Sequence, residues 1–306
     1  MPRRKPDATG LGVVCDHDMV ISLEKPGTDG LDEAVDALRE WQSEGVAWQL
    51  HPGDLGWFQR SGTEATAAAV RIWRRDGRIL AIGLLDGADL LRLTTAPDVR
   101  HDEDLARRLT EDVIAPERGV LPSGKVSVEA PEDALIQDLL PGHGWRTDEP
   151  WTPLRRDLTE PVKAPDLRIE TIGPDKGHVW AGVIRASFDG STFTAGKWHA
   201  MTAGAPYTDA RCLVGYDGQG EAVAAVAVWS AGPGKPGVLE PMGVHRDHRG
   251  HGYGRALTVA AAAALQELGS SSAGVNTPSS NVAAVATYES GGFQRLPEVR
   301  DLTRDA

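Results

Sequence analysis

Three glycines at alternate positions, Gly250, Gly252 and Gly254, stand between a short apolar segment, Val238 to Val244, and an alanine-rich stretch with helical propensity. That order reads as a strand, a tight turn and a helix start. Without side chains in the way, successive backbone N–H groups converge at such a turn, with the positive end of the helix dipole behind them. A turn of this kind holds a pyrophosphate. Two common phosphate turns are excluded by spacing. A dinucleotide fingerprint needs a third glycine or alanine where Arg255 stands, and a Walker loop needs a Gly-Lys-Ser/Thr that is absent.

What remains is Arg249-x-x-Gly252-x-Gly254, with Gly243, Val244 and His245 before it and Asn281, Ala284, Tyr288, Gly292 and Phe293 after it. This pattern resembles the Arg/Gln-x-x-Gly-x-Gly/Ala signature of the GNAT acetyltransferase superfamily. The competing reading is a plain strand-to-helix turn with accidental glycines, and the flanking residues weigh against it.

At 306 residues the chain is about twice the usual domain size, so two domains are expected. The 41% hydrophobic content supports packed cores. A formal charge of −12, without long basic runs, argues against nucleic acid as a partner. Cys15 and Cys212 are too far apart in sequence to suggest a disulfide framework or a cysteine metal site. No apolar stretch has the length of a signal core or a membrane span, so a cytoplasmic protein without a membrane partner is expected, as a monomer or homodimer. His245, His248 and His251 are spaced by three, but the glycine turn begins inside the set and prevents their alignment on a helix, so no metal is expected.

In chain order, residues 1 to about 20 read as an arm, and Leu31 to Trp41 as a helix with Gly45 able to end it. Residues 51 to 56 read as a turn. Two strands are expected at 67–73 and 79–85, joined by a hairpin at Asp76 and Gly77. A further strand follows at 90–93. Placing Arg100 against Arg249 brings Gly144 and Trp145 onto Gly292 and Phe293, at an offset near 145 residues throughout, which suggests an internal repeat of a whole domain. The first copy has lost the glycines: His101, Glu103 and Asp104 stand in their place. Asp102, Glu103 and Asp104 suit a helix N-terminus and would repel a pyrophosphate.

The proline-bearing stretch 158–166 reads as the linker. A strand at 167–172, a helix through Val179, Val183 and Ile184, and an aromatic stretch with Phe188, Asp189, Phe193, Trp198 and His199 follow. These aromatics suit either an acceptor pocket or core packing. Strands are expected at 212–216, 222–229, 238–244 and 273–276, helices after the glycine turn and at 282–288, and a last strand from Phe293. The fold class is therefore α/β with two tandem GNAT-like domains, 1–160 degenerate and 161–306 binding acetyl-CoA. Each domain is a mixed, mostly antiparallel sheet flanked by helices.

The resemblance implies an N-acetyltransferase moving acetyl from acetyl-CoA to a primary amine of a small molecule or peptide. A noncatalytic acyl-CoA sensor or an interaction module is the rival reading. The pantetheine chain would lie along Met242, Gly243 and Val244. Its pyrophosphate would meet the N–H groups of Gly250, His251, Gly252, Tyr253, Gly254 and Arg255, with Arg249 as the signature arginine. Asn281 and Ala284 match cofactor-side family positions, and Asn281 is equally suited to a helix N-cap. Tyr288 occupies the family's general-acid position. Glu240, two residues before Met242, is the candidate base, with cation binding as its alternative role; His199 is a weaker candidate. The tandem arrangement and the stretch from Asn281 to Tyr288 are also similar to the mycothiol synthase family.

Overall fold

The computed structural model describes residues 20–45 and 48–305. The expected arm, and Cys15 within it, lies outside the described residues up to position 19. The first half contains β1 (Ser22–Glu24), α1 (Leu31–Trp41), α2 (Pro52–Phe58), α3 (Thr63–Ala69), β2 (Val70–Arg75), β3 (Arg78–Leu85), β4 (Leu90–Thr95), α4 (Glu103–Ile114), β5 (Val126–Glu129), α5 (Ile136–Leu139) and β6 (Arg146–Asp157). The second contains β7 (Arg168–Thr171), α6 (Gly177–Ser187), α7 (Ala195–Thr202), β8 (Ala210–Tyr216), β9 (Ala222–Ser230), β10 (Pro236–Val244), α8 (Tyr253–Glu267), β11 (Ser272–Pro278), α9 (Val282–Ser290), β12 (Gln294–Arg295) and β13 (Val299–Arg304). Both halves run through a strand, helices, three antiparallel strands, a helix, a parallel strand and a helix, which is the repeat inferred from the offset.

All these strands belong to one mixed sheet, in the order β1-β2-β3-β4-β5-β13-β6-β11-β10-β9-β8-β7, with β12 beside β6. Only β4–β5 and β10–β11 are parallel. The halves exchange strands at the centre. β6, from the first half, pairs with β11 of the second over Thr152↔Thr277 and its neighbours. In return β13 pairs with β5, Leu302 opposite Val128. The cores follow the exchange: Leu302 is packed in the core of the first half, and Leu154 in a core of the second. Burying a strand's apolar face in the other repeat ties the halves together through the hydrophobic effect as well as through hydrogen bonds.

Three expectations need correction. Residues 51 to 56 are the start of α2, not a turn. Pro52 sits at the first helical position, where its missing N–H costs nothing, and the two ends of a capping box close around it. The Gly53 N–H donates to His51 Nδ1 at 2.9 Å, and the His51 N–H donates to Asp54 Oδ2 at 2.6 Å. Gly53 and Gly56 are there for close approach: a Cβ on either would come within 2.6 Å of the Trp229 side chain. Ala67 to Ala69 end α3 rather than begin a strand, as alanine's helical propensity favours. The last long strand begins at Val299, because Phe293 turns inward beside Tyr288 before the two-residue β12. The hairpin at Asp76 and Gly77 is formed, both residues with positive φ. Among the described residues no helix is long and apolar enough to cross a membrane.

Candidate active site

β10 is paired along its length to β9, but to β11 only from Pro236 to Val238. Beyond Val238 the two parallel strands part, and the backbone of β10 toward Val244 faces a cleft instead of a neighbour. Such unpaired N–H and C=O groups ask for a partner. The cleft, about 650 Å³, is bounded by Met242, Gly243 and Val244, by the glycine turn, and by the face of α9. Arg249, Gly250, Gly252, Tyr253, Gly254, Arg255, Asn281, Ala284 and Tyr288 all line it.

His251 does not. Its ring turns back over the turn, with Nδ1 2.9 Å from Arg249 O, and stacks on Tyr253. His245 and His248 lie edge to face at 5.2 Å, so the three histidines do not converge. Among the described residues no three histidine, cysteine or acidic groups are placed to share a metal.

Each glycine of the turn has its own reason. Gly250 and Gly252 have φ of 83° and 79°, in the left-handed region. Gly254 has ordinary backbone geometry, but a Cβ there would stand 2.9 Å from Thr287 Cγ2, so glycine allows α8 and α9 to touch. Gly243 similarly admits Ser187 of α6, 2.5 Å from where its Cβ would be. No side chain caps α8. Its first-turn N–H groups, and the positive end of its dipole, therefore face the cleft.

The arginines serve mainly as fasteners. Arg249 Nη2 donates to Ser187 O at 2.7 Å, and Arg246 Nε to Ala186 O at 2.8 Å, closing the C-terminus of α6. Arg255 Nε does the same for α9 at Ser290 O. Asn281 Oδ1 accepts from Ala284 N at 3.2 Å, so it is an N-cap and a cleft residue at once.

The matching turn of the first half is filled by its own side chains. Asp102 Oδ1 accepts from Leu105 N at 2.8 Å and caps α4, while its two oxygens hold Arg75. That guanidinium keeps the Asp102 carboxyl below the usual carboxylate range. Arg100, the counterpart of Arg249, is buried against Asp133 and Gln49.

Tyr288 is buried at the deep end of the cleft, and its phenol is pushed up to about 12 by burial first and the Glu240 charge second. Glu240 is not on the cleft wall. The β10 register shifts between Leu239 and Met242, which breaks the simple alternation that placed the two side chains on one face. Trp229 Nε1 donates to Glu240 O at 2.6 Å across this irregularity. The Glu240 carboxyl meets charged groups of the first half: Asp54, Arg92 and Asp86 lie near. Burial, then the Asp54 carboxylate, push it up to about 8 despite Arg92. Arg92 in turn donates to Asp54 Oδ1 at 3.0 Å and lies 3.8 Å from Glu129, whose carboxyl burial raises to about 7.

A model of the acetyltransferase (GNAT) family matches residues 183–293, the stretch that builds this cleft. The chain carries a GNAT acetyltransferase domain. No curated protein matches the sequence. Solved structures extend the likeness in fold beyond the GNAT domain to the whole chain. A tandem GNAT protein from the clavulanic acid biosynthesis pathway is 15% identical with a TM-score of 0.61, covering 94% of this chain and 98% of its own. A GCN5-related N-acetyltransferase from Sphaerobacter thermophilus is 18% identical, TM-score 0.57, over 93% and 95%. A GNAT-family acetyltransferase from Colwellia psychrerythraea is 15% identical, TM-score 0.57, over 94% and 99%. None of the three is described as a mycothiol synthase, so that similarity rests on sequence alone.

The aromatic stretch divides between its two expected uses. Trp198 and Phe193 are core residues of the second half, whereas Phe188 is exposed at the cleft rim. His199 lies on the surface beside Trp198. Sequence reasoning missed Asp54 and Arg92 altogether. The only local signal was His51-Pro52 with an acid three residues on, a capping box disguised by two glycines.

Proposed function

We propose that this protein transfers the acetyl group of acetyl-CoA to a primary amine of a small molecule or peptide, by direct attack in the second half. The observation that carries the reading is a cleft continuous from the uncapped N-terminus of α8, along the one-sided strand at Met242 to Val244, to Tyr288. The first-half turn, filled by Asp102, offers no equivalent. The pyrophosphate would accept from the N–H groups of the glycine turn, and the pantetheine amides would pair with β10. A strand N–H near Met242 or Val244 would polarise the acetyl carbonyl. Tyr288, a phenol that keeps its proton at neutral pH, is the acid that meets the departing thiolate. Glu240, which ionises near pH 8, takes the amine's proton by way of water in its ionised form.

This reading places the protein in the cytoplasm as a monomer or homodimer, with no nucleic-acid, membrane or metal partner. Calorimetric titration with acetyl-CoA tests it, followed by thiol release with a panel of amines. One site per chain and amine-dependent release are expected. Two sites would refute the division of labour between the halves. Binding without release from any amine would turn the protein into an acyl-CoA sensor.

A further inference from the structure

A second cleft, of about 500 Å³, opens against Pro241 and is built by both halves. Trp57 and Arg60 come from α2 and the turn after it, and Phe188, Phe193 and Lys197 from the α6–α7 segment. Phe188 also lines the cleft proposed for acetyl-CoA, so the two spaces meet at the rim beside β10. Arg60 and Lys197 are the charged groups lining the second space, and both are cationic.

Each cation is held in place without being neutralised. Arg60 Nη1 donates to Trp57 O at 2.8 Å, and its guanidinium lies 4.2 Å over the Trp57 ring. The Trp57 ring is itself stacked on Phe193, at 5.4 Å and 6°. Lys197 Nζ donates to Thr192 Oγ1 at 3.1 Å. Among the described residues no carboxylate pairs with either cation; Asp86 and Glu240 act on Arg60 from beyond ion-pair distance. An arginine has five N–H donors and an ammonium three, so most donors on both are uncommitted. Two cations on the wall of this half-polar, open cleft lack a carboxylate partner. Of the carboxyls that act on Arg60, Asp86 is already paired with Arg92.

Taking acetyl transfer as its basis, we propose that the acceptor is an amine that also bears an anionic group, a carboxylate or a phosphate, bound by Arg60 and Lys197. Its amine then lies toward Glu240 and the acetyl group, and its anion in the Trp57–Phe193 cleft. The amine nitrogen forms a bond to the thioester carbonyl carbon and the C–S bond breaks. Glu240 receives the proton that nitrogen loses, Tyr288 supplies one to the thiolate, and an amide and CoA leave. Arg60 makes the first half part of the acceptor site rather than a bystander.

The test is calorimetric titration of the full chain, saturated with CoA, with matched pairs: phenylalanine against phenethylamine, and O-phosphoethanolamine against ethanolamine. The anionic member of at least one pair should bind tenfold or more tighter, and which pair responds tells carboxylate from phosphate. Arg60→Gln and Lys197→Gln should each weaken that ligand by roughly 10- to 100-fold. Binding of CoA and of the partner lacking the anion should be unaffected, and Arg60→Lys should restore part of the loss. Equal affinities within both pairs, no binding by any of the four, or unaltered affinity in both glutamine variants would overturn the proposal. Charge-dependent binding without acetylation on adding acetyl-CoA would keep this site and remove acetyl transfer. Acetylation of the amines lacking the anion with no preference for their partners would do the reverse.

Discussion

Replacing Gly252 by aspartate gives the second half the acidic turn that the first half already has. The fold should tolerate it. Nothing lies within 4 Å of where a Cβ at 252 would stand, so the cost is left-handed backbone strain alone, about 1 kcal/mol. Aspartate accepts that conformation better than most residues, and a carboxylate at the positive end of α8 returns about 0.3–1 kcal/mol. Net stability therefore changes little. Binding is another matter. A carboxylate about 5 Å from one phosphate charge costs about 3 kcal/mol at an effective dielectric near 20, and half of that survives generous solvent screening. Loss of one charge-assisted N–H bond adds about 2 kcal/mol. Together these predict a drop of several hundred- to a thousandfold in acetyl-CoA affinity, with a melting temperature within a few degrees of wild type. Calorimetry and thermal unfolding on the same sample measure both. Equal affinity for the two proteins would remove the basis for placing the pyrophosphate at this turn.

The other predictions probe the acid, the charged junction and the contact between halves. Tyr288→Phe should leave acetyl-CoA affinity within about twofold and lower kcat on the order of a hundredfold, as steady-state kinetics beside calorimetry will tell. Glu240 and Glu129 have folded-state values of about 8 and about 7 against an ordinary 4.5, so the folded chain holds protons that the unfolded chain releases. Their contribution to stability is thus full below about pH 4.5 and is lost as pH rises through 7 and 8. Urea midpoints at pH 5 and 8.5 should show this decline and its flattening in Glu240→Gln; an identical slope in the variant would refute the assignment. Gly56→Ala puts a methyl 2.4 Å from Trp229 Cζ3, and overpacking of that kind should destabilise by about 1–3 kcal/mol in denaturant titration.

What could be read from the chain was what short stretches of it decide. The strand, glycine turn and helix around Gly252 form because positive φ, helix propensity and apolar alternation act within a few residues. The acidic counterpart at Asp102 was legible for the same reason: a side chain that caps its own helix needs only its neighbours. The repeat was legible as well, because each copy spells the same order of elements.

Tertiary structure alone decided how the copies use each other. Nothing in the sequence near β6 or β13 says that each will pair in the other repeat's sheet, because antiparallel partners are chosen by buried faces far apart in the chain. Glu240 was placed on the right strand, but the register shift beside it turns its carboxyl from Met242 toward Asp54 and Arg92. Asp54 itself was hidden in what looked like a turn. Its helix is held by Trp229, some 170 residues on, which needs Gly53 and Gly56 to come close. Local chemistry fixes the phosphate turn; long-range packing determines which carboxyl is buried beside which cation, and so what reaches the proposed acetyl group.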